Sequence, residues 1–166
     1  NASDMARIFQ GLYPEWSNTI YTRYLDRFQL PVKKKIGEYS KGMKMKLQIA
    51  CALSHNAELL VMDEATTGLD PGVRDEILHL FMEYLQNGER SILMSSHITS
   101  DLEKIADSVT FINKGRILLT GYKDDILESH GILKCSRDQL KDLDPEDMVS
   151  IRTNTYGAEV MVRDRT

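Results

Sequence analysis

An α/β fold is predicted by three observations. Two short apolar runs, Leu59-Leu60-Val61-Met62 and Ser91 to Ser95, have the length of strands and read as buried on both faces. Between them Asp70-Pro71 opens a helix, with Asp70 as N-cap and proline at the first helical position; Val73, Ile77, Leu80, Phe81 and Tyr84 form its inner stripe. A second helix through about Ala106 and a further strand follow. The order strand, helix, strand, helix, strand implies a layered sheet with parallel pairing.

Ahead of this layer, residues 4 to 12 and 17 to 29 read as two short helices broken at Pro14. Met5, Ile8, Phe9 and Leu12 form one stripe, and Ile20, Tyr24, Leu25 and Phe28 the other. Tyr13, Trp16, Tyr21 and Tyr24 cluster here and are expected to be mostly core. Pro31 and Lys33-Lys34-Lys35 make a solvated break. Ser40 then caps a helix in which Met43, Leu47, Ala50 and Cys51 recur at helical spacing, to about Ser54. Asn87-Gly88 is expected to close the helix that Asp70 opens. Ser108 to Asn113 and Arg116 to Thr120 form a hairpin around Lys114-Gly115, and a short helix runs from Lys123 to Glu128. In the tail, Met148 to Thr153 and Glu159 to Arg163 are expected to pair around Tyr156-Gly157.

With 166 residues, 42% of them apolar, the chain can hold a real core. Its formal charge of −4 gives no basic field for nucleic acid, so none is expected as partner. Cys51 and Cys135 have no paired spacing, which fits free thiols in a reducing compartment. No apolar run approaches the roughly 18 residues that suggest a membrane span. Asn1-Ala2 reads as a residual scar, and the chain is expected to be a fragment.

The stretch Gly-Glu-Tyr-Ser-Lys-Gly-Met-Lys, residues 37 to 44, has two readings. The spacing of Gly37 and Gly42 resembles a phosphate loop, G-x-x-x-x-G-K-[ST], but Met43 stands at the lysine position. A phosphate loop must also follow a buried strand, and Leu30-Pro31-Val32-Lys33-Lys34-Lys35-Ile36 cannot be one. One register later, Ser40, Gly42 and the free N–H groups of a helix's first turn coincide, which makes an anion site. About 20 residues on, a strand delivers Asp63-Glu64; Thr66 to Pro71 follows, and Ser96-His97 ends the next strand.

In these motifs, their order and their spacing, residues 3 to 134 resemble the ATP-binding subunit of ABC (ATP-binding cassette) transporters. Tyr39-Ser40-Lys41-Gly42-Met43 corresponds to the signature motif, usually Leu-Ser-Gly-Gly-Gln. Leu59 to Asp63 corresponds to the Walker B strand, Thr67 to Asp70 to the D-loop, and His97 to the switch histidine. The resemblance implies the C-terminal part of a P-loop NTPase domain, residues 3–56 a helical subdomain and 57–130 a core lobe; residues 131–166 read as a small accessory tail with a β-hairpin. It implies ATP and Mg²⁺ as cofactors, with Asp63 toward the metal, Glu64 as general base and His97 on the γ-phosphate. Ser40, Lys41, Gly42, Met43 and Asp70 would serve nucleotide held by a second copy. Lys41 and Met43 depart from the usual motif, and variants of this kind resemble a bacterial exporter subgroup.

The partners implied are that second copy and a membrane permease at the cytoplasmic face of the membrane, the coupling segment of the permease meeting the first two helices. Because no Walker A loop or Q-loop glutamine occurs in these residues, the piece alone is expected not to hold ATP in its main site, and to self-associate. Two other readings remain open: a non-transport ABC ATPase acting on DNA or ribosomes, and a binding or regulatory module centred on the tail. An isolated Asp-Glu pair is more often a capping pair, and a lone histidine more often structural; His55, His79 and His130 have no motif context.

Overall fold

Helix capping and one apolar stripe per helix build most of the first unit. In the computed structural model, which describes residues 1–86 and 88–163, this unit runs from Asn1 to Ile105 and the second begins at Ala106. The first contains α1 (Ala2–Leu12), α2 (Asn18–Arg27), a 3-10 turn (Ile36–Glu38), α3 (Lys41–Leu53), β1 (Leu59–Asp63), α4 (Pro71–Leu85), β2 (Ser91–Ser95) and α5 (Thr99–Ile105).

Helix α3 lies at the centre of this unit, with Leu47, Ile49, Ala50, Cys51 and Leu53 buried. Burial pushes the Cys51 thiol up to about 11, so the sulfur behaves as a small apolar group; it and Cys135 are free thiols. On one side α1 and α2 pack through Ala2, Tyr21, Leu25 and Phe28. The inward stripe of α1 is Ala2, Met5, Ala6 and Phe9, while Ile8 and Leu12 face outward, so the expected stripe was rotated. Asn1 caps α1 in a reciprocal pair with Asp4, and the Tyr21 hydroxyl donates to the Ala2 carbonyl at 2.9 Å. Of the four aromatics, Tyr21 is buried, Trp16 and Tyr24 are half-buried, and Tyr13 stacks on His55 at the surface, 4.2 Å between centroids.

Asp70 caps α4 through Oδ1, which accepts from the Val73 N–H at 3.1 Å, with Pro71 at the first position. Ile77, Leu78, Leu80, Phe81 and Tyr84 are buried. Asp70→Ala should lower unfolding stability by about 1 kcal/mol in urea titration, and Asp70→Asn by much less, because asparagine keeps the accepting oxygen. Of the expected Asn87-Gly88 stop, Asn87 lies outside the described residues, and Gly88 is left-handed with φ 68°. A bidentate pair from Arg27 to Glu83, 2.6 and 2.8 Å, ties α2 to α4.

Strands β1 and β2 pair in parallel, Leu59 opposite Ser91 through Asp63 opposite Ser95. The expectation of strands buried on both faces needs correction. Leu60 and Met62 turn toward the helices, but Leu59, Val61 and Leu93 are 54%, 69% and 62% exposed. Helices cover one face of this two-stranded sheet, and an apolar run alone does not reveal how many faces are covered.

The second unit contains β3 (Ser108–Asn113), β4 (Arg116–Tyr122), α6 (Lys123–Ser129), β5 (His130–Cys135), a 3-10 turn (Gln139–Asp142), β6 (Met148–Thr153) and β7 (Ala158–Arg163). Strand β3 does not extend the parallel sheet; it forms an antiparallel hairpin with β4. Positive φ at both Lys114 and Gly115, 49° and 74°, gives the two-residue turn whose twist suits a hairpin. Strands β6 and β7 pair antiparallel as expected, and β5, unforeseen in the sequence, adds on the other side of β7 in the order β5-β7-β6. Asn154 shapes the β6–β7 turn, its side-chain oxygen accepting from the Tyr156 and Gly157 N–H groups at 2.8 and 2.9 Å.

Candidate functional site

The carboxyl ends of β1 and β2 bring Asp63, Glu64 and His97 together. In-register pairing sets Asp63 beside Ser95, whose hydroxyl donates to Asp63 Oδ1 at 2.5 Å. Ser95 Oγ in turn accepts from the Glu64 N–H at 3.1 Å, and that N–H also reaches the Ser95 carbonyl at 3.2 Å.

Glu64 itself is in the left-handed region, φ 51°. That conformation disfavours a side chain by about 1 kcal/mol or more and persists where neighbours over-determine it. Asp63 and Glu64 therefore part company through this turn, since the strand ends at Asp63 and its alternation does not reach Glu64.

The Glu64 carboxylate is held at Oε2 by the Thr67 hydroxyl, which donates to it, and by His97 Nδ1 at 2.7 Å. The Thr67 hydroxyl is the main reason its pKa sits below the ordinary carboxylate range; partial burial opposes this, and His97 adds to it. With Glu64 ionised, Nδ1 of His97 carries the proton and Nε2 of a neutral ring is left as an acceptor. Donation from Nε2 to a phosphate then needs the imidazolium or a turn of the ring.

A second group forms where α3 begins. Ser40 Oγ accepts from the Met43 N–H at 3.2 Å, and the Met43 side chain packs against the core. The α3 backbone passes close to α4: a Cβ on Gly42 would lie 3.4 Å from Val73 Cγ1. Lys41 reaches Gly68, its Nζ only 2.5 Å from where a Gly68 Cβ would stand. Residues 40–43 thus meet the 67–73 segment that carries Asp70. Among the described residues no hydrogen bond or ion pair joins residues 40–43 to Asp63, Glu64 or His97.

Two residues central to this geometry, Ser95 and Thr67, were not singled out in the sequence. The in-register pairing of β1 and β2 identifies Ser95, and the three-residue spacing from Glu64 identifies Thr67. The oxygen donors Asp63 and Ser95 at one strand end fit a hard divalent cation that keeps several waters, as Mg²⁺ does. Among the described residues there is no group of three or more His, Cys, Asp or Glu that could hold a metal. No helix among them is long and apolar enough to cross a membrane.

The family described as ABC transporter matches residues 9–67. The bacitracin transport ATP-binding protein BcrA of Bacillus licheniformis is 42% identical over 90 residues, 54% of this chain and 29% of that protein. The Nod factor export ATP-binding protein I of Rhizobium sp. (strain N33) is 33% identical over 125 residues, 75% of this chain and 40% of that protein. A solved structure described as the ATP binding subunit of an ABC transporter superposes with a TM-score of 0.64 at 30% identity, covering 75% of this chain and 54% of that one. The chain therefore spans well under half the length of these two relatives. Family match, relatives and fold agree with the α/β layer and its motif order: residues 9–67 match the ABC transporter family, and the chain is similar to the ATP-binding subunits of ABC transporters.

Proposed function

We propose that this chain contributes the signature helix, the Walker B strand and the switch histidine of an ATPase subunit that drives transport across a membrane. The observation that carries the proposal is the convergence of Asp63, Glu64 and His97 at the carboxyl ends of two parallel strands, where open α/β sheets bind their ligands. Glu64 is the base that orients water and accepts its proton, its carboxylate aimed by Thr67 and His97. Asp63, braced by Ser95, faces Mg²⁺, which when bound offsets phosphate charge.

Ser40, Lys41, Gly42 and Met43 face the phosphates of nucleotide held by a second copy, and Asp70 shapes the segment between the two groups. Two copies close around ATP, and hydrolysis reopens them. The work is done at the cytoplasmic face of the membrane, against a permease that meets α1 and α2. Export is the favoured direction, supported by the name of the Nod factor export relative.

These 166 residues contain no G-x-x-x-x-G-K-[ST] stretch, so the phosphate loop belongs to other residues of the whole protein. Calorimetry tests this division. Mg-ATP titrated into this chain should give no binding heat, whereas the whole protein should bind at micromolar affinity and hydrolyse it. Stoichiometric binding by the chain alone would place nucleotide on residues 37 to 44 after all, and a whole protein that hydrolyses no ATP would overturn the proposed function.

A further inference from the structure

Gly68 has two reasons to be glycine. Its φ of 66° is left-handed, and the space a Cβ would fill is taken by Lys41: Nζ at 2.5 Å, Cε at 3.6 Å and Cδ at 3.8 Å from that position. Lys41 is the first residue of α3, and its exposed side chain runs over the bare face of the turn. The turn it covers is the one that aims Glu64. Thr67 donates its hydroxyl to Glu64 Oε2 and its N–H to the Glu64 carbonyl at 3.1 Å, and Leu69 anchors the far side in the core.

Lys41 has no carboxylate partner among the ion pairs of the described residues. Its approach to the turn is that of the end of the side chain, Nζ and Cε, over a glycine. Where the family's usual motif has glycine, this chain has a residue long enough to reach from the signature helix to the Thr67-Gly68 turn.

We infer that Lys41 is a positioning residue for hydrolysis: its side chain, lying over Gly68, holds the turn through which Thr67 aims Glu64. The inference rests on the proposed ATPase reading and adds to it a link within one chain between the signature segment and the base.

Two measurements test it. In the whole protein Lys41→Gly should lower kcat about tenfold with KM for ATP nearly unchanged, the pattern of a misplaced group. Lys41→Met, which keeps the side chain out to the Cε position and removes the ammonium, should recover most of the kcat that Lys41→Gly loses. A Lys41→Met protein as slow as Lys41→Gly would overturn the inference, and a raised KM would show instead a direct phosphate contact. The second measurement needs no turnover: hydrogen exchange at the Thr67 amide should quicken about tenfold in Lys41→Gly and stay near the parent rate in Lys41→Met. Unchanged exchange in Lys41→Gly refutes the contact even if ATP is hydrolysed. Quickened exchange in a protein that hydrolyses no ATP refutes the functional reading and leaves the contact standing.

Discussion

Glu64→Gln is expected to cut ATP turnover by the whole protein at least about 100-fold, the scale of a positioned general base, while nucleotide affinity stays close to the parent value. Glutamine has the shape of glutamate and can still accept from Thr67, so the turn and its contacts survive. What it lacks is a site that can take a proton from water. On the proposed cycle, in which hydrolysis reopens the pair, the variant should accumulate as an ATP-bound dimer, visible by size-exclusion chromatography in Mg-ATP. Turnover within a few-fold of the parent would remove Glu64 from the role of base. The sign of its pKa shift gives a companion result. The Thr67 hydroxyl and His97 favour the ionised carboxylate, so the base stays competent below the ordinary glutamate range and fails only as pH falls through the lowered value. Thr67→Val removes the largest of these influences and should move the acid limb of the kcat profile upward.

Gly42→Asp should weaken ATP-driven pairing of two copies at least about tenfold and leave the fold intact, which separates it from an ordinary destabilising change. Its Cβ would stand 3.4 Å from Val73 Cγ1, so the valine must yield only a few tenths of an ångström. A carboxylate in the first turn of α3 is favoured by the helix dipole, by about 0.3 to 1 kcal/mol, so stability is held or raised. The same carboxylate occupies the N–H groups that the partner's phosphates would use and repels those phosphates. Thermal unfolding should shift little, whereas dimer formation in Mg-ATP is lost. Pairing at the parent affinity would refute the signature role of residues 40–43.

Local chemistry was the legible part of this chain. Ser40 and Asp70 were readable as caps because a short hydroxyl or carboxylate before an apolar stripe has few other uses, and both accept the expected N–H. Lys114-Gly115 was readable as a hairpin because few dipeptides tolerate two positive φ values in sequence.

Features that depend on what lies across space were hidden. Val61 and Leu93 look like core residues in an apolar run, and only the structure reports that helices cover a single face of the sheet. Strand β5, His130–Cys135, has a glycine as its second residue and alternates weakly, so its pairing with β7 left little trace in composition. At the site, Asp63, Glu64 and His97 were found by order and spacing. Ser95 and Thr67 are common residue types whose roles come from register and from a left-handed turn, neither of which periodicity encodes.

That left-handed turn bears on how the protein can be improved in the laboratory. Glycine would sit at position 64 without the backbone strain that glutamate carries there. Random libraries sorted only for solubility or heat tolerance should therefore enrich Glu64→Gly, trading the acid for a relaxed backbone. Any evolution campaign on this protein needs an activity gate at every round, because at this position the sturdier sequence is the one expected to be inert.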